Sequence, residues 1–390
     1  MSTITRTSEQ LLYLMACALQ GVSAREEVLA DADLKQLLIM ARKHSVASMV
    51  CMALEKTAIF ANADEATKKQ WIDAKNKAIR KNMLLDAERK IISHELETQG
   101  IWYMPLKGSI LKDWYPKPGM REMADNDILF DASKRKEVKA IFQGRGYTVK
   151  GYNKSNHDEY EKPPIYNFEM HVELYHKIYD TLNEKYADVK QRLIPDAEVP
   201  YRFHFTPEDF YVFVIAHAYK HYSSSGTGIR TLADIYIMNQ KLGGTLNWEY
   251  VDSELRGLGI FSYERESREL AQKVFGIAEL PTKANLSEAE QQMLAYYLGA
   301  STYGTIENRT LNKMRKLQPD GGAITAHTKR KYLLSRIFPG REWCEAYAPT
   351  VYKYPVLLPF FWVWRLIYKG ITKRKKATQE IKALKAASRR

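Results

Sequence analysis

The sequence predicts an α+β protein, in which a small mixed β-sheet flanked by helices lies between an N-terminal and a C-terminal helical region. Three observations carry this expectation. Apolar residues recur at helical spacing over residues 8–99, short strand-like segments crowd into residues 101–176, and helix signals return at Thr206 and persist. The expected divisions are 1–99, helical; 100–205, the sheet-bearing core; 206–318, a helical domain lining a cleft; and 319–390, a C-terminal aromatic and basic helical region.

In the first region Leu11, Leu12, Met15 and Leu19 fall on one helical face, as do Leu34, Leu37, Leu38 and Ala41. A long amphipathic segment carries Trp71, Ala74, Ala78, Leu85, Ile92 and Leu96, and Gly100 is placed to end it. His44 and His94 have no partner at ligand spacing and receive no role.

The centre of the chain is Ile101 to Asp131, IWYMPLKGSILKDWYPKPGMREMADNDILFD. A short strand runs into Lys107-Gly108-Ser109, a helical turn follows, and a second strand opens with Asp125-Asn126-Asp127. Residues two apart in a strand share a face, so the carboxylates of Asp125 and Asp127 converge on one cation or a pair. Hard oxygen ligands favour magnesium or manganese. Small residues at Gly108 and Ser109 let backbone N–H groups approach a phosphate where strand hands over to helix.

Gly-Ser followed by Asp-x-Asp at the head of an apolar strand resembles the nucleotidyltransferase superfamily typified by DNA polymerase beta. The fuller pattern, LKGS, a Tyr-Pro segment and Arg-x-Met-x-Asp-x-Asp, is similar to a bacterial family of nucleotidyltransferase-like proteins, over roughly residues 95–240. The resemblance implies a nucleotidyltransferase-type sheet and magnesium-dependent transfer of a nucleoside monophosphate from an NTP to an acceptor hydroxyl on a small molecule, sugar or protein. It implies that Asp125 and Asp127 hold the metal, that Gly108 and Ser109 hold the triphosphate, and that Lys107 and Arg121 neutralise its charge. Two other functions stay open: an inactive nucleotide-binding or scaffold protein, and an RNA-binding or RNA-modifying one.

Beyond the central stretch, Ser133 can cap a helix to about Gln143, and Tyr147 to Lys150 reads as a strand. The polar interval Gly151 to Pro164 reads as a loop, either a cover for the substrate or a connector. Ile165 to His176 alternates clearly, with Phe168, Met170, Val172 and Leu174 on one face and Glu169, His171 and Glu173 on the other. The resemblance calls for a third carboxylate on a neighbouring strand; Glu169 is the first choice and Glu173 the second, with His171 a substrate contact or second donor. The bland alternative is a polar face open to water.

Thr206-Pro207-Glu208-Asp209 opens a helix that brings His217 and His221 four residues apart. Such a pair can bind zinc, but the usual companion ligands are missing, which favours packing at a helix–helix contact. Arg230 and Asp234 have the spacing of a helical ion pair, and the resemblance puts this segment on the far wall of the cleft. Helices are expected at Trp248–Leu258, Phe261–Phe275 and Ser287–Leu298, and a turn at Pro319–Gly322.

Residues Tyr354–Tyr368, YPVLLPFFWVWRLIY, either cap the helical domain, the preferred reading, or lie in a membrane interface. The net charge is +13, of which +8 falls in residues 366–390 and +5 in all the rest. An excess confined to a tail favours a solvated helix or a weak contact with an anionic membrane or nucleic acid over specific nucleic-acid reading. Three scattered cysteines, no signal-peptide pattern and no apolar run of membrane-spanning length predict a cytoplasmic protein, peripheral to the membrane if the aromatic segment touches lipid.

Overall fold

The computed structural model describes residues 4–176, 178–277, 285–318, 324–372 and 374–386. The expected turn at Pro319–Gly322 lies outside the described residues.

The N-terminal region is helical, with Arg6–Gln20, Leu34–Lys43, Ala47–Leu54 and the long Glu65–Thr98 helix as its main pieces. The long helix starts where the Asp64 carboxylate accepts the Thr67 N–H. It stops in a paired-carbonyl cap: the Gly100 N–H reaches Glu97 O and the Ile101 N–H reaches Leu96 O, with Gly100 at φ 66°. Its buried Trp71, Ala78, Leu85 and Ile92 recur every seven residues, a spacing that keeps them on one side over most of its length. Trp71 enters one hydrophobic core, while Ile92 and Leu96 enter a second.

Between the helical regions lies a five-stranded mixed sheet, with β1 (Tyr103–Pro105), β2 (Asn126–Phe130), β3 (Thr148–Gly151), β4 (His157–Lys162) and β5 (Tyr166–His171) in the spatial order β1-β2-β5-β4-β3. Only the β2–β5 pairing is parallel. One face of the sheet, with Ile128, Phe130, Tyr160, Phe168 and Met170, packs on the C-terminal part of the long helix and on the Arg135–Gly144 helix. The other face carries Asp127, Glu169, His171 and His157.

Three local expectations are corrected. Gly151 to Pro164 is not one loop, because β4 occupies its second half. Its apolar pattern is masked by Asp158, which is fully buried and held by Arg135 through Nε at 2.7 Å and Nη2 at 2.6 Å. The helix expected to start at Ser133 is preceded by a 3-10 turn capped by Asp131, which accepts from both the N–H and the hydroxyl of Ser133. The alternation starting at Ile165 ends at His171, where the Val172 and Glu173 N–H groups both turn to Asn156 O; Leu174 then enters the other core.

After a two-stranded β6 (Leu193–Pro195) and β7 (Phe203–Phe205), the helices Pro207–Tyr222, Ile229–Leu242, Trp248–Gly257 and Phe261–Phe275 pack with the N-terminal helices around one core that runs from Ile4 to Leu298. The helices Ile306–Lys316, Ala326–Ile337 and Arg374–Ala386 meet in a smaller cluster of Leu311, Met314, Tyr332 and Leu384.

Candidate active site

Strand β2 sorts its residues by face. Asn126 is fully buried toward the long helix, where it donates to Leu85 O at 3.0 Å and accepts from Arg89 at 3.0 Å. Asp125 and Asp127, one step either side, therefore face a cleft of about 410 Å³ lined also by Lys107, Glu169, His171, His217 and Arg230. The parallel pairing sets Asp127 directly beside Glu169. His171 Nε2 lies 2.9 Å from Asp127 Oδ1 and 3.7 Å from Glu169 Oε2, and Lys107 Nζ lies 3.4 Å from Asp127 Oδ2. Strand β4 adds His157 opposite His171, with its Nε2 3.8 Å from Glu169 Oε2.

These carboxyl groups do not titrate alike. Burial and the Asp127 charge push Asp125 up to about 6, and burial with Asp127 and Asp125 pushes Glu169 up to about 8. Burial also opposes the charge of Asp127, but Lys107 and His171 outweigh it and hold that carboxyl well below the usual range. Burial lowers His171 to about 4 despite its carboxylate partner, so the ring is neutral at physiological pH.

The Lys107-Gly108-Ser109 turn divides its residues. Lys107 adopts φ 34° and aims its ammonium at Asp127 and at His217, whose ring nitrogens are 3.5 Å away. A Cβ on Gly108 would come within 2.8 Å of Arg121 Nη1, so the glycine makes room for that guanidinium. Ser109 is buried, its hydroxyl donating to Leu106 O at 2.9 Å, and does not line the cleft.

Arg121 forms a buried bidentate pair with Asp234, Nε to Oδ1 at 2.8 Å and Nη2 to Oδ2 at 2.9 Å, and the Tyr115 hydroxyl donates to the same carboxylate. The expected Arg230–Asp234 helical pair is thereby corrected: Asp234 is taken by a residue 113 positions away, and Arg230 instead donates to Glu122 O at 2.9 Å. Arg230 lines the cleft with His217 and His221, whose Nε2 atoms are 3.0 Å apart. The two histidines thus form part of the cleft wall, where sequence spacing favoured a helix–helix contact. Lys220 joins them, its ammonium lowered to about 8 by burial and by Lys107. Glu173 is exposed beyond the end of β5 and is not part of the cleft lining.

Residues 30–276 match a family described as an uncharacterised nucleotidyltransferase, a span of more than half the chain. The chain belongs to that family. No curated protein and no solved structure matches it. The family span takes in the whole sheet, both cleft-lining helices and most of the shared core, well beyond the segment in which the sequence alone shows the resemblance.

His157 and Lys220 line the cleft without any expectation from the sequence. His157 sits in an interval that reads as loop; the alternation of His157, Glu159 and Glu161 against buried Asp158 and Tyr160 is the signal that marks it as a strand. Lys220 has no sequence cue except its place between His217 and His221 on a cleft-facing helix.

Proposed function

We propose that the protein transfers a nucleoside monophosphate from an NTP to an acceptor hydroxyl and releases pyrophosphate, in the manner of the polymerase-beta-type superfamily. The observation that carries this is the convergence of Asp125, Asp127 and Glu169 from adjacent parallel strands onto one cleft that also holds Lys107, Lys220 and Arg230. Carboxylates and cations lining the same cleft fit a triphosphate with its counter-ion.

The donor set fits a divalent cation. Two of three neighbouring carboxyl groups are raised by burial and mutual repulsion, and a cation among them would reverse that. Asp125, Asp127 and Glu169 would hold magnesium or manganese, which supplies neutralisation of the triphosphate and a more nucleophilic acceptor oxygen. His157, Glu169 and His171 have donor atoms within 4.8 Å of one another, and nitrogen donors of this kind favour a transition metal over magnesium.

The protein's own groups do the rest. His171 fixes Asp127 through its 2.9 Å contact, and Lys107 bridges the Asp127 carboxylate to the His217 wall. Lys107, Lys220 and Arg230 attract the polyphosphate and offset charge that builds as the bond between the α-phosphorus and the β-phosphate oxygen breaks. The acceptor oxygen bonds to the α-phosphorus, and its proton passes to a carboxylate of the cluster.

Calorimetric titration of the four NTPs, with and without magnesium, tests this in wild type and Asp125→Ala/Asp127→Ala. The expected result is magnesium-dependent binding of one nucleotide, lost in the double variant. Failure of every NTP to bind well-folded wild type would refute a stand-alone transferase.

A further inference from the structure

The C-terminal helix Leu358–Thr372 is inverted relative to an ordinary surface helix. Its one described charged side chain, Arg365, is turned inward: it is 5% exposed, donates to Arg336 O at 2.7 Å and lies over the Trp343 ring. Phe361 and Trp362 accompany it, against Trp343 and Phe338. The outward face carries Phe360 at 74% exposure, Val363, Trp364 at 56%, Ile367 and Ile371 at 69%. These sit at i, i+3, i+4, i+7 and i+11, a single apolar stripe presented to solvent. The segment is expected to cap the helical domain; the contacts of its inner face named here fall instead on Arg336, Phe338 and Trp343, within the C-terminal region itself.

Three features say what covers the stripe. No Asp or Glu occurs between Glu345 and Glu380, while Lys369 lies within the span of the stripe and Lys373, Arg374, Lys375 and Lys376 follow it directly. Trp364 and Tyr368 are exposed, flanked by aliphatic residues, and Trp and Tyr are the residue types enriched at headgroup depth. The helix has 15 residues, and none among those described is long and apolar enough to cross a membrane, so it suits lying in the interface plane. A second copy of this chain fits poorly, because each copy would bring the same concentrated positive charge to the contact.

We propose that Leu358–Thr372 is an interfacial anchor that docks the protein on an anionic lipid surface, with the stripe from Phe360 to Ile371 inserted and the adjoining basic segment on the headgroups. The site is separate from the cleft and independent of the reaction assigned to it.

The test is co-sedimentation of the full chain with vesicles of pure phosphatidylcholine or with about 30% phosphatidylserine. Wild type and F360S/W364S are compared; both positions are exposed, and an unchanged thermal midpoint verifies the fold. Wild type is expected to bind anionic vesicles at least about tenfold better than neutral ones, and the variant to lose at least about tenfold of that. Three results would overturn the proposal: no binding to either vesicle, equal binding by the variant, which would leave only tail electrostatics, or a wild-type dimer that the variant converts to monomer, which would give the stripe to a second copy.

Discussion

Arg121 and Lys107 both border the cleft, and their partners separate their roles. Arg121 is spent on Asp234, with Tyr115 completing the carboxylate's hydrogen bonds. Truncating one member of such a buried pair leaves an uncompensated charge, so Arg121→Ala should cost about 3–5 kcal/mol in urea unfolding. Lys107 instead reaches Asp127 and His217 at 3.4–3.5 Å, within the cleft. Lys107→Ala should weaken NTP binding by about tenfold or more, the loss of one charge contact to phosphate, and should cost less in urea than Arg121→Ala, because Lys107 meets Asp127 at 3.4 Å without the bidentate geometry of the Arg121 pair. A large stability loss at Lys107 with unchanged binding would reverse the assignment. Asp125, Asp127, Glu169 and His171 were legible as a cluster because two local patterns, Asp-x-Asp and a period-two strand, generate them. The Arg121–Asp234 pair was not, because its members are 113 residues apart and a local partner four residues away looked sufficient. His157 was hidden because its strand buries an aspartate that Arg135 satisfies, and a charged residue on the inner face erases the apolar alternation.

The long Glu65–Thr98 helix and the sheet depend on two glycines whose demands differ. Gly100 ends the helix at φ 66°, where an added Cβ meets only ordinary contacts with Tyr201 at 3.5 Å and beyond. Gly100→Ala should therefore cost only the left-handed strain, about 1–2 kcal/mol. Gly119, at φ 84°, lies against the helix itself: a Cβ there would fall 2.5 Å from Ile79 Cγ1 and 3.1 Å from the Ile79 backbone. Gly119→Ala adds overpacking to strain and should cost about 2–5 kcal/mol. The displaced segment leads to Arg121 and Asp125, so NTP binding should fall along with stability. Equal losses of stability for the two variants in urea melts would contradict the close approach. Helix termini were readable because caps are local, as at Thr206, whose hydroxyl accepts the Asp209 N–H at 3.0 Å. Sheet order is not readable from local pattern: the pairing of β2 with β5 rather than β3, which only the resemblance implies through a third carboxylate on a neighbouring strand, spans a long interval and is decided by which faces the two cores cover.

Across the whole molecule, the N-terminal helices and those following the sheet are locked together at His44. The ring is fully buried and accepts the Ile229 N–H at 3.4 Å, 185 residues away, while the neighbouring Lys43 carbonyl accepts the Thr302 N–H at 3.2 Å. A Cβ on Gly228 would approach His44 Nδ1 within 2.9 Å, so the junction is closely packed as well as hydrogen-bonded. Burial, with the Lys43 charge, lowers His44 from 6.5 to about 4. The folded pKa lies below the unfolded one, so the unfolded chain takes up a proton first as pH falls. The junction's contribution is fully present above about pH 6.5 and is lost progressively as pH drops from there through 4. A displacement of this size corresponds to about 3 kcal/mol. His44→Asn keeps an acceptor for the Ile229 N–H but removes the titration. Wild type should then lose about 3 kcal/mol more than the variant between pH 7 and 4, read from urea midpoints and slopes at each pH. Parallel pH profiles for the two proteins would show that His44 titrates in the folded protein as it does in the unfolded chain, and that the junction does not hold the ring neutral.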